Sequence, residues 1–102
     1  MNTFSNRVLA GAALLAALAG LAAARYRYDF RSPEVVIWSE PRNGATPAGT
    51  GSPGDGFDSD RSEEHETFRC DDLFDSSLWH HGTDATTGTV GWVPACYLDD
   101  PD

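Results

Sequence analysis

The sequence predicts an all-β fold, a small barrel of about five strands behind an N-terminal segment of different character. Three observations predict it. After Ala24 no stretch carries a helical apolar period of useful length. Short β-branched or alternating runs recur at Glu34–Trp38, Thr67–Cys70, Ser77–His81 and Thr89–Val93. Between them lie turn residues, densest from Ser39 to Gly56, where the Gly and Pro content excludes a helix.

Residues 1–24 read as an export signal. Met1 to Arg7 is short and polar. Val8 to Ala24 runs without a charge and ends in Ala22-Ala23-Ala24, small residues of the kind a cleavage site requires. The alternative is an uncleaved anchor. Arg25, Arg27 and Arg31 would then flank a short span, with Tyr26 and Tyr28 as interfacial aromatics. The alanine-rich content favours cleavage, after which no stable membrane span is expected. Cleavage removes Arg7 and no acid, so the remainder becomes one unit more negative than the −9 of the whole chain.

Residues 25–34 form a short linker, in which Arg31-Ser32-Pro33 reads as a turn or extended entry. The domain then spans 35–100. Val35-Val36-Ile37-Trp38 is the first strand expected, and Ser39–Gly56 is turn material up to Phe57. Asp58–Glu66 reads as a charged loop. Thr67-Phe68-Arg69-Cys70 alternates, placing Phe68 and Cys70 on one face. Asp71-Asp72 ends that strand, and Leu73-Phe74 is expected to tuck back onto the core. Ser77–His81 and Thr89–Val93 form a hairpin across the polar turn Gly82–Gly88. Pro94 has no N–H for a ladder, so a single helical turn is expected at Pro94–Tyr97, with Leu98 resuming a last strand.

Sixteen acids stand against seven bases, all arginine. Such a chain repels phosphate backbones, so nucleic-acid binding is disfavoured, and the acidic surplus suits solubility or a cationic partner. Catalysis finds no support: no G-x-S-x-G, HExxH or phosphate loop occurs, and no cofactor is expected. Nor do the histidines suggest a metal. His80 and His81 are adjacent and in a strand face opposite ways, and no CxxC or HxxxH spacing is present. Asp58-x-Asp60-x-Ser62 begins like a calcium loop. However, Glu63 stands where that loop needs Gly, and Arg69 where it needs a bidentate Glu. A solvated acidic surface is the simpler reading; binding of calcium or a cationic partner is the alternative function.

Trp79, a polar turn, and then Gly91-Trp92-Val93-Pro94-Ala95-Cys96-Tyr97-Leu98 together resemble the second half of an SH3 domain. Ile37-Trp38-Ser39-Glu40-Pro41, Gly49-Thr50 and Pro53-Gly54-Asp55 resemble the start of bacterial extracellular SH3 domains, the SH3b type. The Ala-Leu-Tyr-Asp-Tyr type motif of signalling SH3 domains is absent, and Asp58–Glu66 is longer and more acidic than in a minimal bacterial version. The resemblance implies an SH3-like barrel and a monomeric, secreted, non-enzymatic module that binds a peptide or cell-wall component. It places the ligand groove at Trp79, Pro94 and Tyr97; the alternative is that Trp79 and Tyr97 are core residues. Trp38 and Trp92 read as core or half-buried packing.

Cys70 and Cys96 admit one intramolecular pairing, which export would favour. Two buried free thiols are the alternative. A domain of roughly 70 residues buries little apolar surface, so such a staple would matter.

Overall fold

The computed structural model describes residues 26–99. The export signal expected over residues 1–24 therefore lies outside the described residues. The chain is all-β within them. Its strands are β1 (Tyr26–Phe30), β2 (Val35–Trp38), β3 (Pro47–Gly51), β4 (Phe57–Arg69), β5 (Asp75–Asp84), β6 (Val90–Pro94) and β7 (Leu98–Asp99), with a 3₁₀ turn, η1 (Ala95–Tyr97), between the last two. The helical turn expected at Pro94–Tyr97 is present, and Pro94 is its N-cap residue.

The seven strands form one antiparallel sheet in the order β3-β2-β6-β5-β4-β1-β7, curled into a half-barrel. About five strands were expected. One of the additional ones comes from the supposed linker. Tyr26–Phe30 pairs with β4 at Tyr26↔Ser59 and with β7 at Phe30↔Leu98. Its alternating Tyr-x-Tyr-x-Phe pattern puts Tyr28 and Phe30 against the core, a period-2 signal masked by the intervening charges.

Asp58–Glu66 is likewise not a loop. It is the middle of β4, a thirteen-residue strand. Each of its charges has somewhere to go. Residues 60–67 are exposed, and the strand is zipped to β5 from Arg61↔His81 to Glu64↔Leu78. Glu63 bonds His65, Asp60 bonds His81, Glu64 accepts from Ser77, and the side chain of Glu66 accepts from the Asn43 N–H. Acidic residues lower intrinsic strand preference by only a few tenths to about 1 kcal/mol, which a ladder of paired backbone groups outweighs.

Two glycines permit the curl. Gly82 of β5 and Gly91 of β6 are register partners. A Cβ on Gly82 would sit 2.2 Å from the Asp58 carbonyl oxygen on β4; one on Gly91 would sit 2.4 Å from that of Trp38 on β2. The missing side chains let both flanking strands fold inward over the central pair, as at a barrel corner.

The concave face holds the core: Phe30, Val35, Ile37, Phe57, Val93 and Leu98, with Tyr28 and Tyr97 packed on its margin. Val35 and Ile37 point in while Val36 and Trp38 are half-buried, as the two faces of a pleated strand alternate. Leu73 and Phe74 depart from expectation. They are 85% and 48% exposed, because Asp71 Oδ1 accepts from both their N–H groups (2.7 and 2.9 Å) and closes a tight turn that carries them outward.

Cys70 and Cys96 form a disulfide, with Cα atoms 6.2 Å apart. It ties the end of β4 to η1.

Candidate functional site

β2 and β6 share a single register pair, Trp38↔Trp92. Beyond it β6 reaches Pro94 and turns into η1, so the two strands part. The gap is a groove of about 280 Å³, walled by the Ser32-to-Val36 segment on one side and by Trp38, Phe68 and Tyr97 on the other.

Each aromatic arrives by a distinct local rule. Trp38 is outward by the parity of β2. Phe68 follows a register shift between Glu64 and Phe68, which re-aims the end of β4 toward η1. Tyr97 is fixed because its hydroxyl donates to the Cys70 carbonyl at 2.9 Å, while its neighbour Cys96 is bonded to the Cys70 side chain. Phe68 is the central ring, with centroids 5.8 Å from Trp38 and 6.3 Å from Tyr97. Beneath it Trp79 meets Phe68 edge to face at 5.5 Å. Such contacts each add about 0.5–1.5 kcal/mol and hold the rings in fixed poses.

Of the three residues assigned to a groove from sequence, Tyr97 reaches this one. Trp79 does not. It is fully buried, and its indole Nε1–H donates to the Glu66 carbonyl at 2.9 Å. Pro94, its register partner across β5 and β6, is also fully buried. Both are core residues that support the groove from below. Trp38 and Phe68, both half-buried, line the groove instead. The signal for Phe68 was in the sequence: strand parity puts it on the face of Cys70, and the disulfide carries that face to Cys96 and Tyr97.

The opposite wall carries a backbone irregularity. Glu34 has φ +57°, the one non-glycine residue in the left-handed region among those described. Such a residue costs on the order of 1–2 kcal/mol. It is held by the donation of its N–H to Ser52 Oγ at 3.0 Å and by Pro33 before it, and it brings Glu34 into the groove lining.

Around Tyr97 the groove continues into a second hollow of about 200 Å³ lined by Arg31, Ser32, Cys70, Asp71 and Cys96. Arg31 is committed there. It bridges to Asp99 at 3.1 Å, donates to the Cys96 carbonyl at 3.2 Å, and stands 5.4 Å from the ring centre of Phe74. Its charge is thus neutralised, whereas the exposed Glu34, Asp71 and Asp72 leave this side of the molecule acidic.

The two neighbouring histidines diverge as strand parity requires. His81 bonds Asp60 at 2.9 Å and lies 5.0 Å from Trp92. His80 turns to the other face, where it packs 4.5 Å from Tyr28, and burial pushes its imidazole below the ordinary histidine range. Arg61 and His65 complete the cover of Trp92, at 5.1 and 5.3 Å. Glu63 is held below the usual carboxylate range, first by its bond from His65 and then by Arg61. Among the described residues no three His, Cys, Asp or Glu side chains converge on a point where a metal ion could sit, and no helix is long and apolar enough to cross a membrane.

No family model, no curated protein and no solved structure matches this chain.

Proposed function

We propose that the protein is a secreted, non-catalytic, SH3-like binding module that holds an extended peptide segment, free or as part of a cell-wall polymer, in the groove beside β2. One observation carries this reading: Trp38, Phe68 and Tyr97 form a contiguous aromatic wall facing the Ser32-to-Val36 main chain. Rigid flat rings opposite the turn that leads into β2 suit an extended, proline-containing or aliphatic segment. The resemblance of Gly91–Leu98 to SH3 domains points the same way, since its tyrosine is the shared element. The disulfide accords with export to an oxidising compartment.

Charge selects the partner within that class. The chain carries −9, and Glu34 lines the groove. A basic segment is attracted and an acidic one repelled, with most of the effect in association rate and its salt dependence. The calcium alternative gains nothing here, because the acids of β4 are strung along a strand and engage neighbours separately.

The test uses fluorescein-labelled short peptides of alternating Lys-Pro and Glu-Pro in anisotropy titrations, with sedimentation on purified peptidoglycan in parallel. The Lys-Pro peptide or the polymer binds, Glu-Pro does not, and Trp38→Ala weakens binding by about tenfold or more. Equal binding by wild type and Trp38→Ala, or no binding to any of these probes, refutes the groove.

A further inference from the structure

The disulfide sits where it can govern the groove. Cys70 follows Phe68 by two residues at the end of β4, and Cys96 directly precedes Tyr97 in η1. Phe68 and Tyr97 stand on the same wall, with ring centroids 6.3 Å apart. The bond therefore spans the seam between the two elements that carry them.

Each element is weakly held on its own side of that seam. η1 has no buried residue and no side-chain hydrogen bond at its N-cap. The end of β4 is cut off from the rest of its ladder by the register shift between Glu64 and Phe68, after which only Phe68↔Ser76 and Arg69↔Asp75 are paired. Arg31 clamps η1 away from β4: its N–H donates to the Tyr97 carbonyl at 2.9 Å, its guanidinium donates to the Cys96 carbonyl at 3.2 Å, and it bridges to Asp99. Noncovalent links across the seam include the Tyr97 hydroxyl on the Cys70 carbonyl, the Phe68–Tyr97 ring contact and Arg31 beside Phe74. The concave core of Phe30, Val35, Ile37, Phe57, Val93 and Leu98 includes neither cysteine. Severing the bond thus loosens the seam and leaves the core packed, a local opening at the least stable end of the structure.

The sulfurs can also be reached. Both cysteines are half-buried, and both line the hollow of about 200 Å³ around Tyr97. Disulfides exposed in this way undergo exchange, whereas those sealed in a core resist it.

We propose that Cys70–Cys96 is a redox latch on the groove. Oxidised, it holds Phe68 and Tyr97 as one aromatic wall that binds ligand; reduced, it lets η1 part from β4 and binding falls. This inference rests on the reading of the groove as a peptide site. The reductant is a dithiol. One of its thiolates attacks the sulfur of one cysteine, forming a mixed disulfide and releasing the other cysteine as a thiolate. Its second thiolate then closes onto its own sulfur and frees the first cysteine. The dithiol is oxidised by two electrons to a cyclic disulfide, and its two protons end on Cys70 and Cys96. In a reducing compartment the wall stays unassembled, and the groove gains its affinity on entering an oxidising one. The coupling is reciprocal, so a ligand that prefers the oxidised form protects the bond.

The experiment places the full chain in buffers of graded reduced-to-oxidised dithiothreitol ratio, with the thiol state read by alkylation and intact mass. Binding of the fluorescein-labelled Lys-Pro peptide and of purified peptidoglycan is measured at each ratio, and ¹H–¹⁵N correlation spectra are recorded. The oxidised protein binds at least one of the two probes; reduction weakens that binding by about tenfold or more, and reoxidation restores it. The amides of Phe68 and Tyr97 shift on reduction while those of Ile37 and Val93 keep their positions. Saturating ligand raises the reductant ratio needed for half-reduction by the same factor as the loss of affinity. The Cys70→Ser, Cys96→Ser double variant binds as reduced wild type does and ignores the buffer. Equal affinity in the two states overturns the latch and leaves the groove standing. Loss of the Ile37 and Val93 signals on reduction also overturns it, because the bond would then hold the whole fold rather than one wall. Failure of the oxidised protein to bind either probe removes the groove, and the latch with it.

Discussion

Tyr97 and Cys70 are joined twice, once directly and once through a neighbour. The Tyr97 hydroxyl donates to the Cys70 carbonyl at 2.9 Å, and Cys96, the preceding residue, holds the Cys70 sulfur. The end of β4 and the 3₁₀ turn are thereby one mechanical unit, and they carry two of the three groove aromatics. The disulfide closes a loop of 26 residues in sequence separation. It should contribute about 3.5 kcal/mol on the chain-entropy account, and the tyrosine bond about 1 kcal/mol. The Cys70→Ser, Cys96→Ser double variant is expected to lose stability by nearly that amount in urea titration. Tyr97→Phe loses about 1 kcal/mol. Because the two act on one unit, the triple variant should lose less than the sum. A reductant should destabilise wild type and leave the double-serine variant unmoved.

The tryptophans separate stability from binding. Trp79 is fully buried and donates to Glu66; Trp38 is half-buried on the groove wall. Trp79→Ala should cost about 3–5 kcal/mol in chemical denaturation, as for large core aromatics. Trp79→Phe should still cost about 1–3 kcal/mol, because it strands the Glu66 carbonyl and leaves a void. Trp38→Ala should cost well under half the Trp79→Ala value while removing peptide binding. A Trp38→Ala loss equal to that of Trp79→Ala would place Trp38 in the core and remove the groove's rationale.

How far this arrangement was legible in the sequence depended on whether local pattern or long-range geometry decided it. The all-β class, strand β2, the turn at Pro94–Tyr97 and the Cys70–Cys96 pairing follow from β-branched and alternating runs, proline chemistry and cysteine count. Strand β1 was missed because Arg27 and Asp29 interrupt its apolar positions. Both are on the outer face, and Arg27 pairs with Asp58 across β4. The length of β4 was missed because its acids resemble a loop until each is given its cross-strand or local partner. The groove was misassigned for a different reason. A tryptophan in a strand can face either way, and the depth of Trp79 depends on the curl set by Gly82 and Gly91 several residues away.

His80 makes folding pH-dependent with a definite sign. Burial lowers its pKa in the folded protein below the ordinary 6.5. The unfolded chain therefore binds the proton more readily. Between the unfolded and folded pKa values stability falls as pH falls; above about pH 7.5 the residue contributes no slope. The slope attributable to one group is at most one proton. Comparing wild type with His80→Gln isolates it: the difference in unfolding free energy should be constant at pH 7.5–9 and should shift in favour of the variant on acidification below about 6.5. A pH-independent difference across that range would mean that the imidazole protonates as freely in the fold as in the unfolded chain.

The curl itself is the last quantity open to test, because two glycines of the same chain make contrasting demands. Gly82 needs the absence of a side chain: its Cβ would meet the Asp58 carbonyl oxygen at 2.2 Å and carbon at 2.8 Å, atoms of a paired backbone that cannot yield independently. Gly88 needs only conformational freedom, with φ +79° in the turn before β6 and nothing within 4 Å of a Cβ. Gly82→Ala should therefore lose about 3 kcal/mol or more, at the upper end for overpacking, because strand β4 must move as a body. Gly88→Ala should lose about 1–2 kcal/mol, the left-handed backbone penalty alone. The two also differ in reach. Displacing β4 shifts Phe68, so Gly82→Ala, where it still folds, should weaken peptide binding, while Gly88→Ala leaves affinity at wild type. Equal stability losses, measured by urea denaturation, would show that the sheet relaxes at Gly82 without cost and that the Gly82–Gly91 pair does not set the barrel corner.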